Sequence, residues 1–183
     1  LVVKNYKGKN SKLEMLIKII KSSKDRKILV FSQLTQVLGL IAKRFEKENI
    51  EFNYLDGKMD AKKRLELVED INQNKSKKVF LISLKAGGTG LNLTSASMVV
   101  HFDPWFNPAV EDQASDRAHR IGQKNIVDVI KLISKETVEE KVEAIKEYKK
   151  ELADDIINLN LKENESIKKL SRDEIIDLFE TMD

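Results

Sequence analysis

Lys27 to Phe31 (KILVF), Val79 to Ile82 (VFLI) and Ser97 to Phe102 (SMVVHF) are short apolar runs with no polar residue at every second place. A strand with one face in water alternates apolar and polar residues, whereas a strand buried on both faces does not. Two further segments, Phe52 to Leu55 ending at Asp56-Gly57, and Ile126 to Ile133, read as strands of the same sheet. Helical periodicity fills the intervals between them. Strands alternating with helices predict an α/β fold, a parallel sheet with helices on both faces.

The helices carry their own signals. Ser11-Lys12-Leu13-Glu14 reads as a capping box, followed by Leu13, Leu16, Ile17 and Ile20 at helical spacing. A second helix is expected over 34–47, with Leu34, Val37, Leu38, Ile41 and Phe45 on one stripe. Asp60 is placed to cap a third, whose inner face is Leu65, Val68 and Ile71. Pro108 suits a first helical turn, and the helix it opens is expected to run to about Ile121 and stop at Gly122. Thr137-Val138-Glu139-Glu140 is a capping box for a long acidic helix, and a short last helix is expected from Ser171.

Composition narrows the chemistry. With no cysteine and only His101 and His119, disulfides, thiolate zinc sites and Cys nucleophiles are excluded, and no metal site is expected. No apolar run approaches the ~20 residues of a membrane helix and no leader opens the chain, so a cytoplasmic location is expected. A start at Leu1 without Met is expected of a piece cut from a longer protein. Residues 1–50 hold 12 Lys/Arg against 4 Asp/Glu, residues 136–183 hold 8 against 15, and the whole chain nets +3. A basic leading segment favours a polyanion, and an acidic tail suits a solvated helical face.

Two segments fall at carboxyl ends of strands, where open parallel sheets collect ligands. One is Lys85-Ala86-Gly87-Gly88-Thr89-Gly90-Leu91-Asn92, whose glycines free the backbone for close approach and whose N–H groups can cradle an anion. It matches neither familiar phosphate-loop fingerprint, and a tight strand-to-helix turn would look the same. The other is the helix after Pro108, where Gln113, Asp116, Arg117 and Arg120 fall at intervals that share one face. Val110, Ala114, Ala118 and Ile121 form the apolar stripe beside it. Two of only six arginines in a lysine-rich chain lie three apart here, and a planar guanidinium fork grips phosphate oxygens as lysine does not. Internal ion pairs on a solvated face are the bland alternative. Trp105 and Phe106, between two prolines, are either core plugs or a stacking wedge for nucleic acid.

Taken together, residues 85–93, the block Asp103-Pro104-Trp105-Phe106-Asn107-Pro108, and the block Gln113-Ala114-Ser115-Asp116-Arg117-Ala118-His119-Arg120-Ile121-Gly122-Gln123 resemble motifs five and six of Swi/Snf-type ATPases. Val30-Phe31-Ser32-Gln33 and Tyr54-Leu55-Asp56-Gly57 are similar to motif four and its neighbour. The resemblance covers about residues 11 to 150 and implies a RecA-like lobe, the helicase C-terminal half of a superfamily-two motor. Residues 1–10 would then be a linker from an absent first lobe, 11–150 the lobe, and 151–183 a helical extension.

What the family implies for single residues follows by motif position. Arg117 and Arg120 would be arginine fingers, with Gly88, Gly90, Gln113 and Asp116 on the nucleotide side. Gln33, Gly57, Lys58, Ser83, Lys85, Asn92, Trp105 and Phe106 would face DNA. Phe106 replaces the usual Trp, a bare ring for a hydrogen-bonding indole, and Ser83-Leu84-Lys85 lacks the hydroxyl of the commoner Ser-Thr-Lys/Arg. No Walker A sequence and no D-E-x-H box occurs in the 183 residues. ATP and Mg²⁺ are therefore the expected cofactors, with Mg²⁺ held mainly by the absent lobe, and this chain alone is expected to turn over nothing. The implied partners are double-stranded DNA, the N-terminal lobe of the same protein and a DNA-bound protein target, with no membrane. The Lys/Asn/Ile bias hints at a bacterial source, which would make the location nucleoid-associated. Two other readings remain open: a catalytically silent binding module, and a lobe of an RNA helicase. RNA helicases usually carry Gly-Arg-x-Gly-Arg where this chain has Asp116-Arg117-Ala118-His119-Arg120.

Overall fold

The computed structural model describes residues 10–74, 78–87, 91–118 and 126–161, with side chains described as far as residue 152. Its elements are α1 (Ser11–Ser22), β1 (Ile28–Ser32), α2 (Thr35–Lys47), β2 (Phe52–Leu55), α3 (Ala61–Gln73), β3 (Val79–Ser83), α4 (Leu84–Gly87), β4 (Met98–His101), α5 (Pro108–Ser115), β5 (Asp128–Lys131) and α6 (Val138–Leu161). The five strands form one sheet in the order β2-β3-β1-β4-β5. Every pairing is parallel, with Ile28 opposite Val79 on one side and Met98 on the other.

The uninterrupted apolar runs have a structural reason. Successive side chains of a strand point to opposite faces, and here both faces are covered. Leu29, Phe31, Phe80, Ile82 and Val99 pack with Val68 and Ile71 of α3 and Ala114 of α5. Ile28, Val30, Leu81 and Val100 pack on the other face with Leu16 and Ile17 of α1 and Leu38, Ile41 and Phe45 of α2. β1 and β3 are buried at every residue, as central strands should be. By contrast β5 is an edge strand with exposed positions.

Several expectations need correction. The N-cap of α1 is Asn10, whose side chain accepts from Leu13 N–H at 3.0 Å, and Ser11 is already helical. Leu34 caps α2 from outside and is 54% exposed, so it lies off the stripe. Leu65 is 64% exposed, because the buried stripe of α3 runs through Val68 and Ile71 with Leu67 beside them. Asp60 does cap α3, accepting from Lys63 N–H at 2.9 Å. β5 is shorter than 126–133, and Ile126 is 88% exposed.

α5 ends at Ser115 and not near Ile121. Beyond it the chain tightens: Arg117 N–H and Ala118 N–H bond to Ala114 O and Ser115 O, three residues back, at 3.3 and 3.0 Å. Of the common helix face expected for Gln113, Asp116, Arg117 and Arg120, only Gln113 is therefore within α5, and Arg120 lies outside the described residues. Ile121 and the helix expected from Ser171 lie outside the described residues. At the start of α6, Thr137 Oγ1 accepts from Glu139 N–H at 3.2 Å, and Glu140 reaches back to Glu136 N–H at 2.7 Å. The capping box thus forms displaced by one residue. The chain divides into two compact units, Leu1–Val142 and Glu143–Asp183.

Candidate nucleotide and nucleic-acid edge

The described parts of the sequence motifs, residues 32–33, 83–86 and 103–107, lie at or just past the carboxyl ends of β1, β3 and β4 in the first unit. β1 and β4 are neighbours there, yet the helices that follow them, α2 and α5, belong to clusters on opposite faces. Such a divergence opens a crevice at the strand ends. Asp103, two residues past β4, closes it, with one carboxylate oxygen accepting from Gln33 N–H at 2.9 Å and the other from the Ser32 hydroxyl. Burial raises the Asp103 pKa above the ordinary carboxylate value, and the Gln33 and Ser32 hydrogen bonds only partly oppose it. Nearby, Lys12 Nζ donates to Phe102 O at 3.1 Å and to Glu139 at 2.6 Å. Glu139 feels burial as well, but its bonds to Lys12 and Ser134 N–H outweigh that, and its pKa is lowered.

Residues 103–107 form a loop pinned to the first turn of α5. Glu111 is 1% exposed; its Oε1 accepts from Trp105 N–H at 2.6 Å, and its Oε2 lies 2.9 Å from Lys131 Nζ. Asn107 caps α5 by accepting from Ala109 N–H at 3.0 Å. Trp105 packs against the core, whereas Phe106 is 73% exposed. Beneath the loop, His101 Nε2 lies 3.0 Å from Ser115 Oγ, and the His101 ring stacks on Phe31 at 5.7 Å.

The segment after β3 is held differently. Ser83 is buried, and its hydroxyl accepts from Ala86 N–H at 3.3 Å, closing the single turn of α4. Lys85 is exposed. Asn92 is exposed too, with its carbonyl accepting from Asn72 Nδ2 at 2.9 Å. Leu93 N–H donates to Arg117 O at 3.1 Å.

The remaining candidates separate clearly. Gln33 is half-buried beside Asp103, while Gly57 and Lys58 are exposed past β2, with Lys58 N–H on Asp56 at 3.0 Å. Gln113 and Asp116 are exposed and Arg117 is half-buried in the turn that follows α5. Gly88, Gly90 and Arg120 lie outside the described residues. Sequence reasoning missed Lys12, Asp103, Glu111, Lys131 and Glu139. Glu111 had a signal, since it shares the helical spacing of Ala114 and Ala118 and so puts a carboxylate on the apolar stripe. The partners from distant segments had none.

Residues 11–122 match the helicase conserved C-terminal domain. The chain belongs to that family. It is 46% identical over 154 residues to DNA repair protein RAD5B of Arabidopsis thaliana, covering 82% of this chain and 12% of that protein. It is 40% identical over 179 residues to a protein of Mycoplasma pneumoniae described as an uncharacterized ATP-dependent helicase, covering 98% and 17%. The crystal structure of the C-terminal part of the Fun30 ATPase domain superposes with a TM-score of 0.72 at 37% identity, covering 74% of this chain and 45% of that one. This lobe is accordingly a RecA-like helicase C-terminal lobe of the Swi/Snf type, as its motifs imply. The chain spans less than a fifth of the length of those two relatives. Among the described residues no helix is long and apolar enough to cross a membrane.

Proposed function

We propose that this chain is the second motor lobe of an ATP-dependent double-stranded-DNA translocase that remodels protein–DNA complexes. The observation that carries the reading is the 3.1 Å bond from Leu93 N–H to Arg117 O. It joins the segment assigned to DNA, which contains Ser83, Lys85 and Asn92, to the turn assigned to phosphate. A shift in one is then felt by the other through backbone alone. Gln33, Gly57, Lys58, Trp105 and Phe106 complete the DNA-facing set, and Gly88, Gly90, Gln113 and Asp116 the nucleotide side. In the same reading residues 1–10 are linker, 11–150 lobe and 151–183 extension.

The donor set suits a polyphosphate. Arg117 and Arg120 would bring two guanidinium groups to charge that develops on the transferred phosphoryl group, where an arginine finger is worth ~10³–10⁵ in rate. ATP, when bound, supplies the phosphoryl-transfer chemistry. Among the described residues no group of three or more His, Cys, Asp or Glu is placed to hold a metal. In this reading the Mg²⁺ ligands come mainly from the N-terminal lobe of the same protein, as the family resemblance implies. DNA contacts through Lys and backbone groups go to phosphates, which makes binding salt-sensitive and sequence-blind. Relatives in Mycoplasma fit a bacterial source, for which the reading is a nucleoid-associated, cytoplasmic protein.

ATP turnover by the full-length protein, with and without duplex DNA, tests this. Wild type should be stimulated by duplex, and Arg117→Ala or Arg120→Ala should lower stimulated turnover by roughly 10³-fold. Turnover untouched by either substitution would leave a silent binding module. Stimulation by RNA above that by duplex DNA would make it an RNA-directed motor.

A further inference from the structure

Between Asp103 and Glu111 the chain must choose which of two adjacent aromatic rings faces outward. Pro104 and Pro108 fix their own φ and donate no hydrogen bond. Asp103 is anchored to Ser32 and Gln33, Trp105 N–H to Glu111, and the Asn107 side chain to Ala109 N–H. Phe106 is the one position between the last two anchors, and its ring is the exposed one. A carboxylate nine-tenths buried is costly unless both oxygens are satisfied. Glu111 answers that cost from two different elements: a loop N–H donates to Oε1, and the ammonium of Lys131 at the end of β5 forms an ion pair with Oε2. It also sits in the first turn of α5, where a negative charge is favoured.

We infer that Glu111 is the positioning residue of this loop: it holds Trp105 inward and Phe106 outward, and locks that choice to α5 and the turn carrying Arg117. The part of the inference that reaches DNA rests on the functional reading above; the tether itself does not. Glutamine is a poorer occupant, because its single carbonyl can serve Trp105 but its amide would then face the Lys131 ammonium. The pair is one unit with the loop, so damage to either end should appear at the aromatic.

The tether is tested on this chain without any nucleotide. Trp105 is its only tryptophan. Its backbone amide should exchange with solvent on the order of 100-fold more slowly than a free amide in the wild type. Glu111→Met, which keeps the volume but accepts nothing, should shift Trp105 emission to the red and raise its quenching by acrylamide, and Glu111→Gln should restore most of the native signal. A wild-type Trp105 amide that exchanges freely, or a folded Glu111→Met variant with native emission and quenching, overturns the tether. Should Glu111→Met fail to fold, the exchange rate in the wild type still decides.

The reach to DNA is tested by fluorescence anisotropy with a labelled duplex. Phe106→Ala and Glu111→Met should each weaken binding by about tenfold, and the double variant no further, because both act through one ring. Multiplying losses, near 100-fold in the double variant, would make Glu111 a general structural residue and overturn the coupling. Full binding by Phe106→Ala would overturn the DNA role of the loop while leaving the emission and quenching test of Glu111 intact.

Discussion

Residues 103–111 and the described residues after β3, 84–87 and 91–93, differ in the kind of bond described for them. The first stretch hangs on two carboxylates, the part-buried Asp103 and the buried Glu111, each reaching across to other elements. The second hangs on neutral groups: the Ser83 hydroxyl, the Asn72 amide and the Arg117 carbonyl. Buried charge is costly when a partner is lost, whereas a lost neutral hydrogen bond costs about 1 kcal/mol. Breaking a described anchor should therefore cost more in the aromatic loop than in the described part of the segment after β3.

The sharpest attempt to break that contrast is Glu111→Ala. It strands a buried loop N–H and leaves Lys131 without its carboxylate. Lys131 is partly exposed and can rehydrate, which trims the penalty to about 3 kcal/mol. Urea unfolding should show the midpoint falling with little change in slope. A loss under about 1 kcal/mol would mean the carboxylate is dispensable and the two stretches are held alike.

Asn72→Ala probes the neutral side. It removes the Nδ2 bond to Asn92 O at the C-terminal end of α3, and stability should fall by about 1 kcal/mol in the same assay. In the full-length protein the proposed function predicts a larger change in DNA stimulation of turnover than in basal turnover, since the bond goes to Asn92, which that proposal assigns to DNA, and to no residue it assigns to phosphate. A loss as large as that of Glu111→Ala would erase the distinction.

Much of this architecture was legible in advance, and the reasons differ by element. β1, β3 and β4 were readable because burial on both faces leaves no polar residue at alternate positions. β5 was readable as a strand but not in extent: its ends are exposed, and hydrophobicity at Ile126 reports no burial there. The end of α5 was not readable, because the apolar stripe of Ala114 and Ala118 continues through a turn that is no longer α-helical. The described motif residues follow strand ends, but the groups that hold them do not announce themselves. Lys12 and Glu139 lie 127 positions apart, and only the folded chain brings them together.

The smallest expected effect concerns pH, and its sign separates two neighbouring carboxylates. Asp103 is raised above its ordinary 3.8, so the folded state holds its proton more tightly than the unfolded chain does. Its contribution is greatest below 3.8 and declines as pH rises through the raised folded value. Glu139 is lowered from 4.5, so its contribution is present above 4.5 and is lost as pH falls through the lowered folded value. The two slopes oppose each other, and in the wild type they partly cancel. Thermal unfolding of Asp103→Asn and Glu139→Gln between about pH 3 and 6 should separate them. The stability of Asp103→Asn relative to wild type should improve as pH rises, and that of Glu139→Gln should worsen. Both effects are modest, because the Lys12–Glu139 pair is partly solvated. Parallel curves for the two variants would mean that Asp103 is as well satisfied as Glu139, and that the crevice between β1 and β4 carries no stored cost.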